Sequence, residues 1–158
     1  MTTRDESISA MAEVMRDFMA QAVLFQDAVA RVGGLNGTDL QIVGVLMSQG
    51  SATPGELAER TGLSSGGAIT AVIDRLEKSG YVTRARDEGD RRRVIVSAVF
   101  PKVMAEVGPI YARITDSWND YLETLTDEQI AFGVELFARA SDVNRAEISR
   151  LRGDTAKI

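Results

Sequence analysis

The sequence predicts a mostly α-helical protein with a small β-wing: a winged helix-turn-helix flanked by N- and C-terminal dimerisation helices. Three observations lead to this class. Two short amphipathic segments are separated by a glycine-centred turn at Gly62, as in a helix-turn-helix. Two β-branched segments then flank an arginine-dense tip at 91–93, which predicts a hairpin. Apolar residues at helical spacing precede and follow this region, which predicts further helices at both chain ends.

The first helix is predicted from apolar residues that recur in steps of three and four from Ile8 to Val32. Gly33 and Gly34 follow and end it. The repeat spans more than three heptads and is longer than a small domain needs for its own core. We therefore expect a partner helix, from another subunit, to cover this apolar seam.

Capping boxes predict the next two helices, at Thr38-x-x-Gln41 and Thr53-x-x-Glu56, because the hydroxyl can satisfy a free backbone N–H. Pro54 suits the first position of the later helix, and Gly62 stops it. A third helix follows, whose buried residues have the spacing i, i+3, i+4 and i+7. They are Ile69, Val72, Ile73 and Leu76, and Gly80 ends the helix.

The wing strands are predicted at 81–86 and 93–99, which are rich in valine, isoleucine and threonine, with the turn at 87–90. Helix returns after Pro101, and Gly108-Pro109 should kink it. Thr126-x-x-Gln129 opens the last helix, which carries two apolar stripes on roughly opposite sides. One stripe needs a partner, so we expect dimerisation through the chain ends. The chain then reads as one domain, 1–158, with a DNA-binding lobe at 36–99 and helical dimerisation regions at 1–35 and 100–158.

Composition excludes several classes of function. The chain has no cysteine and no histidine, which removes most zinc sites, serine–histidine triads and cysteine nucleophiles. We expect no cofactor and no enzymatic activity, since no carboxylate spacing indicates a catalytic pair. The N-terminus lacks an uninterrupted apolar run, so we expect no signal peptide, no membrane partner and a cytoplasmic location.

Positive charge is concentrated in one segment although the net charge is −5. Seven of the 18 basic residues lie in 75–93. A charge run is usually a solvated surface, but this one coincides with the predicted helix-turn-helix and wing. In that fold the second helix enters the major groove of DNA and the first braces it. We therefore interpret the segment as a DNA-binding surface.

The outward face of the second helix offers few groups that read bases, whereas the wing carries Arg84 and Arg86 on its first strand and Arg91 and Arg92 at its tip. Gly66-Gly67 either allows close approach to the groove or is a weak point in the helix. Asp90 either holds an arginine in one geometry or caps its own turn. Double-stranded DNA is the expected partner, and the candidate DNA-binding residues are Ser64, Ser65, Gly67, Thr70, Ala71, Arg75, Arg84, Arg86, Asp90, Arg91 and Arg92.

At these positions the sequence closely resembles the MarR family of bacterial transcription regulators, and the match covers about residues 36–99. The resemblance implies a homodimer that binds a pseudo-palindromic operator, usually as a repressor, and is often released by a small aromatic or phenolic ligand. It also implies that Arg92 enters the minor groove and that Asp90 orients it. The matching residues are Glu56-Leu57-Ala58, Leu63-Ser64, Asp74-Arg75-Leu76-Glu77, Gly80-Tyr81-Val82, Arg84 and Asp90-Arg91-Arg92.

The chain departs from the family pattern at three places. Ala71 stands where many members have arginine, Gly66-Gly67 replaces bulkier residues, and Ala98-Val99 replaces the usual Leu-Thr. The bare helix face and the acidic total leave a second hypothesis open, a winged-helix protein-interaction module that does not bind DNA. An effector pocket could be lined by a set of mostly aromatic residues, which at helical spacing could equally be plain core: Phe18, Phe25, Met47, Tyr111 and Trp118.

Overall fold

The computed structural model describes residues 3–63 and 67–155. Within them the chain forms seven helices and one two-stranded antiparallel sheet, which confirms the predicted class of a mostly helical protein with a small wing. The chain divides between Ile110 and Tyr111 into two compact units. The elements in chain order are α1 Arg4–Val32, α2 Gly37–Gln49, α3 Pro54–Thr61, α4 Gly67–Lys78, β1 Val82–Arg86, β2 Val94–Ala98, α5 Phe100–Glu106, α6 Gly108–Leu122 and α7 Asp127–Thr155.

Helix α1 matches the predicted apolar repeat and ends at Gly33, as expected. Thr3 and Glu6 form a capping box at its start. Only its last turns enter a core, where Val29 and Ala30 are buried. The hydroxyl of buried Tyr81 donates a hydrogen bond of 2.6 Å to the carbonyl of Gly33, which ties the end of α1 to the start of the wing. Burial raises the pKa of this phenol.

The predicted start of α2 is wrong by two residues. Asn36, not Thr38, caps the helix: its side-chain oxygen accepts the Asp39 N–H at 2.9 Å, and Asp39 accepts the Asn36 N–H at 3.2 Å. Asparagine is among the best N-cap residues, because its side-chain oxygen accepts a free backbone N–H. The carboxylate of Asp39, in the first turn, is favoured by the helix dipole. Thr38 and Gln41 therefore lie within the helix, and Gln41 is exposed.

One hydrophobic core holds α2, α3, α4 and the wing together. Its centre is formed by α2, whose contacts reach α3, α4 and β2. Apolar side chains fill it without unpaired buried polar atoms among the described residues. The buried members include Ile42, Val43, Leu46, Leu57, Ile69, Val72, Ile73, Leu76, Val82 and Val96.

The wing is an antiparallel hairpin in which Val82 pairs with Ala98 and Arg86 with Val94. The observed strands lie inside the predicted ranges. A third backbone segment joins them, because Ala52 and Val96 exchange two hydrogen bonds of 3.0 and 2.8 Å. This pairing has no signal in the sequence, since a single paired residue shows no alternation of apolar and polar side chains. It fixes the base of the wing to the segment that leads into α3.

The C-terminal helices follow the predicted breaks. Helices α5 and α6 separate at Val107, next to Gly108-Pro109. Thr126 and Gln129 form the expected capping box before α7, with bonds of 2.9 and 3.2 Å. No helix among residues 3–63 and 67–155 is both long enough and apolar enough to cross a membrane. Residues on both predicted apolar stripes of α7 are exposed, among them Phe132, Val134, Phe137 and Val143.

Candidate DNA-binding surface

Helix α4 has one buried face and one open face. Ile69, Val72, Ile73 and Leu76 are buried, which confirms the predicted inward stripe. The side chains of the opposite face are mostly small or polar, and few of them can make bidentate contacts to bases. Its exposed residues are Gly67, Thr70, Ala71, Asp74 and Lys78. The candidates Ser64 and Ser65, together with Gly66, lie outside the described residues.

Helix α3 leads into α4 and is fixed at both ends. Thr53 and Glu56 form the predicted capping box, and Gly62 adopts the left-handed conformation (φ 74°) that ends the helix. The backbone N–H of Thr53 is the main cause that lowers the pKa of Glu56, and its hydroxyl and Arg93 add to this. The ionised carboxylate of Glu56 therefore stabilises the helix start beside the wing.

Arg75 was predicted to contact DNA, but its guanidinium binds Asp39. The Nε atom lies 3.1 and 3.0 Å from the two carboxylate oxygens, and Nη2 lies 2.5 Å from Oδ1. Asp39 is buried, so Arg75 neutralises a carboxylate that water cannot reach. These hydrogen bonds raise the pKa of Arg75 above its ordinary value. Arg75 thus joins α4 to the N-terminus of α2.

Arg84 on β1 is also engaged, by two carboxylates of α4. Its Nη2 lies 2.5 Å from Asp74 Oδ1, and its Nη1 lies 2.6 Å from Glu77 Oε2. Burial lowers the pKa of Arg84, but the hydrogen bonds to Asp74 and Glu77 outweigh it and raise the pKa overall. Among the described residues of α4, Arg75 and Lys78 flank Asp74 but form no ion pair with it. The partner is Arg84 instead, because the strand runs back beside the helix.

The turn at the wing tip is held by its own side chains. Asp87 Oδ1 accepts the N–H groups of Gly89 and Asp90 at 3.0 and 2.8 Å. Asp90 Oδ1 accepts the backbone N–H of Arg92 at 3.0 Å, and Arg86 Nη1 donates to the carbonyl of Arg91 at 2.8 Å. This is the turn-capping alternative for Asp90. It fixes the backbone of Arg92 and makes no bond to its guanidinium.

Two guanidinium groups remain open to solvent at this tip. Arg91 and Arg92 are both exposed, and no carboxylate among residues 3–63 and 67–155 forms an ion pair with either side chain. Arg93, next in the chain, pairs with Glu56 at 3.3 Å. Arg86 donates to a neutral carbonyl and has no carboxylate partner among the described residues either. The uncompensated positive charge of the wing therefore lies on Arg86 and on the adjacent tip residues Arg91 and Arg92.

The predicted effector-pocket residues are spread over three helices. Phe18 and Phe25 lie on α1, Met47 on α2, and Tyr111 and Trp118 on α6. Trp118 packs edge-on against Tyr121, with ring centroids 6.2 Å apart. A shallow hollow beside them contains none of the five and is lined by Asn119, Leu122, Glu123 and Ile130. The effector pocket stays a prediction.

Comparisons with known proteins agree with this geometry. A model of the MarR family matches residues 33–93, which span the helix-turn-helix and most of the wing. The uncharacterized HTH-type transcriptional regulator YcgE of Bacillus subtilis (strain 168) is 33% identical over 150 residues, or 95% of this chain and 96% of that protein. A second regulator of that organism, YkoM, is 30% identical over 92 residues, or 58% of this chain and 49% of its own length.

The likeness to solved structures extends beyond residues 33–93, the segment that the family model matches. A MarR family protein from Bacillus stearothermophilus superposes with a TM-score of 0.66 at 19% identity, covering 94% of this chain and 99% of that one. Wild-type MarR from E. coli, in its apo form, gives a TM-score of 0.59 at 17% identity, covering 82% and 94%. At such identities the likeness shows the fold, including the flanking helices.

Proposed function

Because this chain belongs to the MarR family of DNA-binding transcriptional regulators, we propose that it binds a pseudo-palindromic operator as a homodimer and represses transcription. The relatives found by comparison are transcriptional regulators rather than enzymes. The two half-sites are then about one helical turn apart, which matches the two-fold symmetry of a dimer. Such a regulator works in the cytoplasm, where the chromosome is.

The exposed arginine pair at the wing tip carries this proposal. Arg91 and Arg92 have no internal counter-ion among the described residues, whereas Arg75, Arg84 and Arg93 each bind a carboxylate. Free guanidinium groups at a wing tip suit the minor groove, whose negative potential increases where the groove is narrow. The bond from the Arg92 N–H to Asp90 pre-orders the backbone that presents this side chain.

Helix α4 complements the shape of the major groove and makes few hydrogen bonds to bases. Thr70 and Ala71 are exposed and carry methyl groups that can contact thymine, and Gly67 has open space where a side chain would be. Specificity then depends on DNA shape and on the spacing of half-sites.

The exposed apolar residues of the long helices support the homodimer. Large apolar side chains that stay exposed over several turns indicate a protein interface. On α1 these include Ile8, Met11, Phe18 and Val23, and on α7 they include Phe132, Val134, Phe137, Val143 and Leu151.

We further propose that a small aromatic or phenolic compound releases the regulator from DNA. The family resemblance supports this, and the five candidate residues, from Phe18 to Trp118, offer aromatic and thioether surface. Footprinting of the gene's own upstream region, with and without phenolic compounds, tests it. Unchanged protection at millimolar phenol would count against an effector of this class.

DNA affinity of an Arg92→Ala variant tests the wing directly. We expect operator binding to weaken about tenfold at moderate salt and the slope of log K against log salt to fall by about one, because one phosphate-region contact is lost. Fluorescence anisotropy with labelled upstream DNA measures both quantities. The matched control is Arg93→Ala, which removes the neighbouring arginine that Glu56 already binds and should have a smaller effect.

Two outcomes would contradict the proposal. Equal losses of DNA affinity for Arg92→Ala and Arg93→Ala would show that the unpaired tip arginine contributes no more to DNA binding than the paired one. If regulation of a reporter survived replacement of Arg84, Arg91 and Arg92 together by alanine, the protein-interaction module would be the better account.

A further inference from the structure

Three charged side chains form a closed cluster between the wing and α4, the second helix of the helix-turn-helix and hence the candidate recognition helix. Asp74 and Glu77 are one turn apart on α4, and both bind Arg84 of β1, at 2.5 and 2.6 Å. The carboxylates are exposed, with 59% and 42% of their side-chain surface accessible, whereas Arg84 is more buried, at 26%. The arginine therefore lies beneath the two acids.

An arginine that is less exposed than its two carboxylate partners is poorly placed to bind a DNA phosphate. A guanidinium held by two carboxylates must give up charge-assisted hydrogen bonds before it can bind DNA. The outward groups of the cluster are acidic, and they share the open side of α4 with Thr70, Ala71 and Lys78. Without Arg84 they would place two uncompensated negative charges at the DNA surface, where phosphates repel them.

The cluster also fixes two elements relative to each other. Asp74 and Glu77 belong to the recognition helix, and Arg84 lies on the first wing strand, which packs against that helix. One arginine thus bridges the two parts that enter neighbouring grooves. Arg86, two residues further along the strand, makes no such link and donates to the Arg91 carbonyl at the tip.

We propose that Arg84 is a positioning residue that neutralises Asp74 and Glu77 and aligns the wing with the recognition helix, and that it does not itself contact DNA. The proposal rests on operator binding by this surface and replaces the direct DNA contact expected from the sequence. Arg84 then affects DNA affinity only while the two carboxylates are charged.

A mutant cycle tests this dependence. Operator affinity and its salt slope are measured for wild type, Arg84→Gln, the isosteric double variant Asp74→Asn/Glu77→Gln, and the triple variant. We expect Arg84→Gln to weaken binding about tenfold in the wild-type background, because two negative charges become uncompensated. In the double-variant background the same substitution should change affinity less than about twofold and leave the salt slope unchanged.

Arg86→Gln is the matched control, since it removes a charge from the same strand without touching either carboxylate. Its effect should be equal in both backgrounds. Thermal unfolding of each variant separates loss of fold from loss of binding, and affinities are compared only well below the lowest Tm.

An undiminished loss on Arg84→Gln in the double-variant background, with the salt slope falling by about one, would overturn the proposal in favour of direct phosphate contact. Equal affinity of wild type and Arg84→Gln would also overturn it. Failure of the wild type to prefer its upstream DNA over random duplex would instead refute the operator proposal, and so is distinguished from both.

Discussion

The carboxylate of Asp39 has two structural roles. It accepts the N–H of Asn36 in the capping box of α2, and it binds the guanidinium of Arg75 on α4. Only 2% of Asp39 is exposed, so its charge depends on these partners. The sequence predicts a DNA contact for Arg75, and the structure shows in addition that its guanidinium pairs with this buried carboxylate.

We predict that Arg75→Ala lowers the free energy of unfolding by roughly 2–3 kcal/mol. The substitution leaves a buried carboxylate without its counter-ion, and Arg75 is half exposed, which keeps the loss below that of a fully buried pair. Urea unfolding followed by circular dichroism measures it. Arg93→Ala, which breaks an exposed pair with Glu56, should cost less than about 1 kcal/mol. Similar losses for the two variants would refute a special role for Asp39.

At the scale of elements, helix ends and turns carry most of the local order. Capping boxes begin α1, α2, α3 and α7, and each satisfies backbone N–H groups that a helix leaves unpaired. The wing turn uses Asp87 and Asp90 in the same way. The short helix α3 depends on this most, because eight residues form few internal hydrogen bonds.

The capping carboxylate of Glu56 predicts a pH dependence. Its pKa is lowered in the folded protein, chiefly by the Thr53 N–H, so its contribution to stability is complete above the unfolded-state pKa and is lost as pH falls through the folded-state value. Glu56→Gln keeps an acceptor for Thr53 but removes the charge. We expect wild type to be more stable than this variant at pH 7 and the difference to shrink steadily below about pH 4.5. Chemical unfolding across this range measures it, and a constant difference would contradict the assignment.

At the scale of the whole molecule, the unburied apolar faces are the main feature. Helices α1 and α7 each have 29 residues, yet α1 buries only Val29 and Ala30, and no residue of α7 whose exposure is described is fully buried. Water contact along so much apolar surface is costly. The proposed homodimer removes that cost, so folding and association should be linked.

We predict that Met11→Glu and Val134→Glu each weaken the dimer by tenfold or more, because a charge must then be buried in an apolar interface. Sedimentation equilibrium should give a mass near twice 17.1 kDa for wild type and a concentration-dependent lower value for the variants. Ala20→Glu adds the same charge on the side of α1 opposite Met11 and is the control. A monomeric wild type would refute the homodimer.

The sequence by itself determined the elements and their order. Helical periodicity, proline and glycine punctuation and the β-branched wing depend on neighbours within a few residues, so they are readable along the chain. The wrong cap at Thr38 is a local error too, since the capping box forms two residues earlier, at Asn36. The buried stripe of α4 and the exposed tip arginines follow from the same local patterns.

Only the tertiary structure decided which arginines are free. Asp39 and Arg75 are 36 residues apart, Arg84 meets Asp74 across a helix–strand junction, and Ala52 joins the wing from the segment that leads into α3. No local pattern encodes these pairings, because they depend on how the elements pack. Counting arginines in the sequence does not show which of them are paired with a carboxylate in the fold. Whether a guanidinium can bind DNA depends on its distance to the nearest carboxylate, and that distance is set by the fold.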